Sequence, residues 1–421
     1  MRHPFNKISV IGLGYIGLPT AATIASRGIE VVGVDVNERV VSLISQGEVH
    51  FSEPDLDMLV KAAVTTGKLR ATRNPEPAEA FIIAVPTPIV ADKRADLSYI
   101  EAAARSIAPV LRPGTLVVLE STSPVGATAQ LARWLAEQRP DLSFPHQKGE
   151  QADILMAHCP ERILPGRMVT ELVENDRILG GMTPRCAARA LELYKTFVKG
   201  ACLITDADSA ELVKLTENAY RDVNIAFANE LSMICDRLEL DVWRVIELAN
   251  RHPRVNILNP GPGVGGHCIA VDPWFIVESV PEMARLIRTA REVNDHKPFH
   301  VLEQIRHHAE RFKAPVVACL GLAYKADVDD LRESPAVEIV SHLAGEKLAR
   351  MLVVEPFVEA LPKELAGFDN VVLADLREAL SQADIVVLLV DHSMFRAVTA
   401  SQLLNKIVID TRGFWRDRPA G

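Results

Sequence analysis

The stretch Lys7-Ile8-Ser9-Val10-Ile11-Gly12-Leu13-Gly14-Tyr15-Ile16-Gly17 decides the fold. Lys7 to Ile11 is a short β-branched, apolar run of the kind that forms a buried strand. The three glycines follow at once, and Leu18 to Arg27 reads as a helix. Glu30 to Val34 is a second strand ending in Asp35, eighteen residues past Gly17. Strand, G-x-G-x-x-G, helix, strand, acidic residue is the pattern of a dinucleotide-binding βαβ unit. Its glycines permit a tight turn and let backbone N–H groups meet a pyrophosphate at a helix N-terminus. Asp35 is placed to accept hydrogen bonds from the adenosine ribose hydroxyls, which favours NAD and repels the 2′-phosphate of NADP. Tyr15, Ile16 and Arg39 are further expected contacts of the cofactor.

More strands of the same sheet end in candidate loops. Phe81 to Val85 stops at Pro86-Thr87-Pro88, and Leu116 to Leu119 stops at Glu120-Ser121-Thr122-Ser123-Pro124. Ligands of open parallel sheets bind beyond the carboxyl ends of strands, so Thr87 and Thr122 are expected to touch the cofactor, although both also fit as plain turn residues. Ile154 to Ala157 ends at His158-Cys159-Pro160-Glu161-Arg162-Ile163-Leu164-Pro165-Gly166, which offers a carboxylate and a guanidinium at that edge.

From Ser209 to Leu240 the pattern is that of one long amphipathic helix. Lys214, Asn218 and Arg221 fall at i, i+4 and i+7 and so line one face. A helix of this length joins domains or pairs with its own copy in a dimer. Helical segments at 242–250 and from Ala284 to Arg311 flank the run Gly261-Pro262-Gly263-Val264-Gly265-Gly266-His267-Cys268, with Asp272 four residues beyond. Four glycines in six positions suit a loop, and the thiol behind them is a candidate nucleophile. An inert, buried Cys after a turn fits the same residues. At Ala314 the α/β pattern restarts, with strands at Pro315–Leu320, Met351–Val354, Ile385–Leu389 and Ile407–Asp410, and with the charged loop Lys325-Ala326-Asp327-Val328-Asp329-Asp330-Leu331-Arg332. The expected architecture is α/β: two Rossmann-like doubly wound domains joined by a central helical region. The expected divisions are 1–205, 206–310 and 311–421.

Bulk properties narrow the class. The 421 residues carry a net charge of −9 and are 48% hydrophobic, with a mean hydropathy of +0.11. An acidic chain without a basic face argues against a nucleic-acid partner. No apolar run approaches a membrane-spanning length. The six cysteines form no C-x-x-C pair, so neither a zinc site nor a disulfide framework is expected, and the thiols point to a cytoplasmic setting.

A dinucleotide site beside a thiol makes sense for a two-step oxidation. Cys is superfluous for turning an alcohol into a carbonyl. It is useful when an aldehyde is oxidised further through a thiohemiacetal and a thioester. The motifs Gly12–Gly17 with Asp35, Val85-Pro86-Thr87-Pro88, Ser121-Thr122-Ser123-Pro124, Pro160-Glu161, Lys214 with Asn218, Gly265-Gly266-His267-Cys268 with Asp272, and Asp330 to Pro335 resemble, in order, those of the nucleotide-sugar 6-dehydrogenases, the UDP-glucose and GDP-mannose dehydrogenase superfamily. The runs Cys159–Gly166, Arg251–Leu258 and Gly261–Phe275 are most similar to the branch acting on UDP-N-acetyl-D-mannosamine. The UDP-glucose branch carries a second Glu where this chain has Pro165, and often Tyr or Phe at Val264.

The resemblance implies NAD-dependent oxidation of the C6 hydroxyl of UDP-N-acetyl-D-mannosamine, feeding surface polysaccharide, with the same chemistry on UDP-N-acetylglucosamine or UDP-glucose as the alternative. It implies Cys268 as nucleophile, Lys214 and Asn218 as proton and oxyanion partners, Asp272 at the water and Glu161 in support. Arg162, Ile163, Arg221, Gly265, Tyr324 and Lys325 would hold the UDP-sugar. His252 and Arg254 would reach it from a second subunit of a homodimer, and Arg332 would reach the cofactor. His267 would be structural, and no metal is implied. A two-electron hydroxyacid dehydrogenase or an inactive NAD-binding scaffold would share the first domain but would not need Cys268.

Overall fold

The structure is a computed structural model that describes residues 4–90, 92–164, 166–266 and 268–416. Pro165 and His267, both singled out above, lie outside the described residues. The chain divides into two compact units: residues 1–217 with 274–280, and residues 218–273 with 281–421.

Unit 1 is built on eight strands: β1 (Lys7–Ile11), β2 (Glu30–Val34), β3 (Leu69–Thr72), β4 (Ala80–Ile83), β5 (Leu116–Leu119), β6 (Leu155–His158), β7 (Arg177–Gly181) and β8 (Cys202–Asp206). They lie in the order β3-β2-β1-β4-β5-β6-β7-β8. The first six are parallel, which is the doubly wound arrangement. β7 runs antiparallel to β6, and β8 parallel to β7. Because helices cover both faces, β4, β5 and β6 are buried at every residue, and this is why they read as unbroken apolar runs. One core packs Ile8, Val10, Leu18 and Val31 on one face, and another packs Phe81, Ile83, Val117 and Leu131 on the other.

Unit 2 holds five parallel strands: β9 (Val316–Leu320), β10 (Arg350–Val354), β11 (Val371–Leu373), β12 (Ile385–Leu388) and β13 (Ile407–Asp410), in the order β11-β10-β9-β12-β13. The helix Ala207–Arg237 is continuous over thirty-one residues, as the amphipathic pattern predicts. The helix Arg285–Ala309 accompanies it, with Pro298 inside.

The two sheets repeat one local device. In the first, Gly12 has φ +89°, its N–H donates to Val34 O at 2.8 Å, and an added Cβ would lie 2.5 Å from Ala84 O. Asp35, after β2, accepts from Leu13 N at 2.9 Å. In the second, Gly321 has φ +91°, its N–H donates to Val354 O at 2.8 Å, and an added Cβ would lie 2.4 Å from Val390 Cβ. Glu355, after β10, accepts from Leu322 N at 2.6 Å and Ala323 N at 3.0 Å. The difference lies in what else the carboxylate does. Asp35 stands half-buried with Asn37 N as its other partner, at 2.9 Å. Glu355 is buried and also takes His392 Nε2 at 3.1 Å; the other ring nitrogen of His392 accepts from Asp327 N, so Nε2 carries the proton.

Candidate active site

The glycine turn after β1 fits a dinucleotide. Gly17 admits no side chain, since a Cβ would lie 1.8 Å from Gly12 O. Gly14, by contrast, faces open space within 4 Å. The helix Gly17–Ser26 has no side-chain cap and no acidic residue in its first turn, which leaves its positive end to an anion. Each Asp35 oxygen takes one backbone N–H and keeps a lone pair for a ribose hydroxyl. Tyr15 is exposed and stacks on Phe51 with ring centroids 4.4 Å apart. Arg39 is exposed on the next helix, which Asn37 caps. The two threonine loops are stitched together: Thr87 Oγ1 donates to Thr122 O, and Ser121 Oγ to Val85 O at 2.7 Å. The Thr87 hydroxyl proton is thus spent within the protein.

The loop after β6 carries Glu161 and Arg162. Glu161 is 6% exposed and is held by Arg177 Nη1 at 2.5 Å and by Arg162 N at 2.6 Å. Arg162 forks onto Glu217 of the long helix, with Nε 3.1 Å and Nη2 2.7 Å from its carboxylate oxygens. Ile163 beside it is half-buried. On the long helix Lys214 is half-buried, and no carboxylate pairs with it among the described residues. Arg221 is exposed on the same helix.

In unit 2 the thiol and its surroundings come together locally. Of the six cysteines, Cys268 is exposed and the others are buried or half-buried. Its carbonyl accepts from Val271 N at 3.0 Å and Asp272 N at 2.8 Å, so a single turn fixes the thiol relative to the carboxylate. Asp272, which the sequence reading left in the loop, opens the helix Asp272–Ser279; it is 3% exposed and accepts from Asn218 Nδ2 at 2.5 Å.

The glycines of this loop permit close packing of the chain on itself. An added Cβ on Gly265 would lie 2.5 Å from Glu333 O and 2.7 Å from Pro335 Cδ; on Gly266, whose φ is +87°, it would lie 3.0 Å from the Tyr324 ring. The side-chain space of both is filled by the protein itself, so neither position admits a Cβ without displacing its neighbours.

Tyr324 is half-buried against that loop, and Lys325 beside it is exposed. Arg332 lies along Asp330, with Nη2 2.7 Å from Oδ2. His252 and Arg254 are exposed, and Arg254 N donates to His252 Nδ1 at 3.3 Å.

Two features escaped the sequence reading. Arg412, after β13, packs against Gly261 so closely that a Cβ there would meet its Nη1 at 2.4 Å; with Lys325 and Tyr324 it lines a small recess beside Pro262 and Gly263. A buried relay also ties the loop to the helices. Arg291 Nη1 donates to Asp222 Oδ1 at 2.6 Å, as does Asn294 Nδ2 at 2.8 Å; Asn229 Nδ2 donates to Asn294 Oδ1 at 2.8 Å; and Gly261 N donates to Asn229 Oδ1 at 2.9 Å. No group of three or more metal-ligating side chains is found among the described residues, and no helix among them is long and apolar enough to cross a membrane.

A doubly wound unit with an acidic ribose acceptor, in a chain that also presents an exposed thiol on a fixed turn, has the makings of an NAD-dependent dehydrogenase. The chain belongs to the UDP-glucose/GDP-mannose dehydrogenase family: the NAD binding domain of that family matches residues 6–198, its central domain residues 208–296 and its UDP binding domain residues 318–417. It is 65% identical to NDP-N-acetyl-D-galactosaminuronic acid dehydrogenase of Ralstonia nicotianae, over 98% of this chain and 96% of that one. It is 58% identical to UDP-N-acetyl-D-mannosamine dehydrogenase of Escherichia coli, over 98% of this chain and 100% of that one. Among solved structures, UDP-D-ManNAc dehydrogenase from Pyrococcus horikoshii matches with a TM-score of 0.87 at 38% identity, covering 99% of this chain and 97% of that one. UDP-N-acetyl-mannosamine dehydrogenase Cap5O from Staphylococcus aureus matches at 0.85 and 40%, covering 97% and 95%.

Proposed function

We propose that the protein oxidises the C6 hydroxyl of UDP-N-acetyl-D-mannosamine to the carboxylate, in two steps, through Cys268. The observation that carries this is the exposed thiol whose carbonyl is clamped by the Asp272 amide, with Asp272 in turn held by Asn218. NAD, when bound, supplies the hydride acceptor for each of the two oxidations. Lys214 takes the hydroxyl proton of the sugar as the aldehyde forms, and its ammonium and the Asn218 amide stabilise the alkoxide-like oxygens. The Cys268 thiolate adds to the aldehyde carbon. The thiohemiacetal, oxidised, becomes a thioester. Water positioned by Asp272, with Glu161 supporting, attacks the thioester, the acid leaves and the thiolate is restored.

Arg162, Ile163, Arg221, Gly265, Tyr324 and Lys325 hold the nucleotide sugar in this reading, with His252 and Arg254 supplied by a second subunit. On the cofactor side stand Gly12, Gly14, Tyr15, Ile16, Gly17, Asp35, Arg39, Thr87, Thr122 and Arg332. Residues 1–205 serve the cofactor, 206–310 catalysis and dimerisation, and 311–421 the UDP group. A homodimer is supported by exposed Tyr220, Phe227 and Ile234, spaced by seven residues on the long helix. Six cysteines without a C-x-x-C pair favour a reducing compartment, the cytoplasm.

The test is NADH formation with UDP-N-acetylmannosamine, UDP-N-acetylglucosamine, UDP-N-acetylgalactosamine and UDP-glucose. The reading expects two NADH per sugar and the highest kcat/KM with the first. The 65% identity to the Ralstonia protein favours a second reading, the galacto-configured N-acetyl sugar, and the same panel decides between them.

A further inference from the structure

Unit 1 buries a charged cluster around Glu161 whose other members have no part in the reaction proposed above. Glu120 follows β5, Cys159 and Glu161 follow β6, Arg177 opens β7, and Tyr194 closes the helix Pro184–Tyr194. The sheet register brings them together. Leu119 pairs with His158, and Cys159 N donates to Leu119 O at 3.1 Å, which sets Glu120 beside Cys159. His158 pairs with Gly180 in the antiparallel β6–β7 ladder, and the same register continued three residues sets Glu161 opposite Arg177. None of these five side chains is more than 6% exposed.

The hydrogen bonds divide the cluster unevenly. Glu161 uses both oxygens, one for Arg177 Nη1 and one for Arg162 N. Arg177 also gives Nη2 to Leu172 O at 3.1 Å. Tyr194 OH donates to Glu120 Oε1 at 2.7 Å, while Glu120 Oε2 is buried with no hydrogen-bond partner. Two carboxylates against one guanidinium leave a surplus negative charge where water is excluded, at a cost of several kcal/mol. A proton on one carboxylate removes it. Glu161 accepts at both oxygens, so the unpartnered Oε2 of Glu120 is the place for the proton.

We propose that Glu120 is a positioning residue for Glu161: neutral, it leaves the whole charge of Arg177 to Glu161, and on ionising to solvent it divides that charge and loosens the hold of Arg177 on Glu161. The inference rests on the reading that Glu161 takes part in thioester hydrolysis. Burial, with the Glu161 charge second, pushes Glu120 up to about 7; the Tyr194 hydrogen bond and Arg177 oppose it. The switch therefore falls near neutrality. Of the remaining neighbours, burial keeps the Cys159 thiol and the Tyr194 hydroxyl protonated, and burial holds His158 neutral with its pKa lowered to about 3.

The experiment records kcat from about pH 6 to about pH 9 for the parent and for Glu120→Gln, Tyr194→Phe and Glu161→Gln. It is paired with infrared difference spectra of the carboxylic-acid stretch over the same range. The parent should show an inflection near neutrality in kcat, rising with pH, and lose an acid band over the same interval. Glu120→Gln should lose both the inflection and the band. Tyr194→Phe, which removes a donor to the ionised form, should move both to higher pH and serves if Glu120→Gln does not fold. An inflection and band retained in Glu120→Gln, or left in place in Tyr194→Phe, overturn the proposal. Parental turnover by Glu161→Gln removes instead the hydrolytic role of Glu161, while the infrared band still judges where the proton sits.

Discussion

Asn229 is the middle link of the relay that anchors the start of the cysteine loop, and truncating it isolates that loop's support. Asn229→Ala strips Gly261 N–H of its acceptor and Asn294 Oδ1 of its donor, both in a buried setting. Asn294 keeps its bonds to Asp222, so the damage is confined to two groups. A buried group left without its partner costs about 1–3 kcal/mol, so the pair amounts to ~2–6 kcal/mol. For a unit of roughly 200 residues each kcal/mol lowers the thermal midpoint by ~2–4 °C, which gives a drop of at least ~4 °C by calorimetry. The loop that begins at Gly261 also carries Cys268, and a misplacement of ~1 Å at a reacting group costs on the order of 100-fold. A fall in kcat of ~10-fold or more is therefore expected, with NADH binding to unit 1 unchanged. A melting point within ~1 °C of the parent together with unaltered kcat would refute the reasoning.

Cys268→Ser should abolish steady-state formation of two NADH per sugar and leave a bound, partly oxidised sugar detectable by mass spectrometry; full turnover at the parental rate would remove the thiol from the mechanism. Lys214→Ala should reduce kcat by about 100- to 1,000-fold, with the KM for NAD unchanged, and near-normal turnover would exclude it. Gly17→Ala forces a methyl against Gly12 O, so fluorescence titration should show NADH bound at least ~10-fold more weakly, equal to ~1.4 kcal/mol.

Much of this was legible in the chain. β1, β2 and β5 lie where their apolar runs place them, because strands buried on both faces advertise themselves as continuous Val, Ile and Leu; β13 also lies where its run places it, although it is a partly exposed edge strand and not a buried one. β3, β7, β8 and β11 were missed, each for a physical reason. β8 is half exposed and mixes Thr and Asp with its apolar residues. β7 ends in Gly180 and Gly181, which argue against a strand by propensity; a Cβ on the first would lie 2.5 Å from Ala210 Cβ, and on the second 2.3 Å from Ala187 N, so close packing demands them. β3 and β11 are short edge strands. The site shows the same division. Cys268, Asp272 and Asn218 carry local signals: a glycine loop, a spacing, a helix face. The relay through Asn229, and the guanidinium behind Glu161, depend on partners 16 to 72 residues apart, and no periodicity encodes such a pairing.

The twin turns after β1 and β9 bear on kinetics. Glu355 is only 4% exposed, its Oε2 taken by two amides and an imidazole and its Oε1 by Phe357 N at 3.2 Å, so the second copy presents no exposed acceptor to a ribose. Among the described residues the chain thus offers one dinucleotide cradle. If each sugar yields two NADH, the first must depart and a fresh NAD must enter in mid-reaction. A free aldehyde would have that whole interval in which to diffuse away. A covalent bond to Cys268, as proposed above, would then act as a mooring as well as a chemical device, holding the half-oxidised sugar while the cofactor is exchanged.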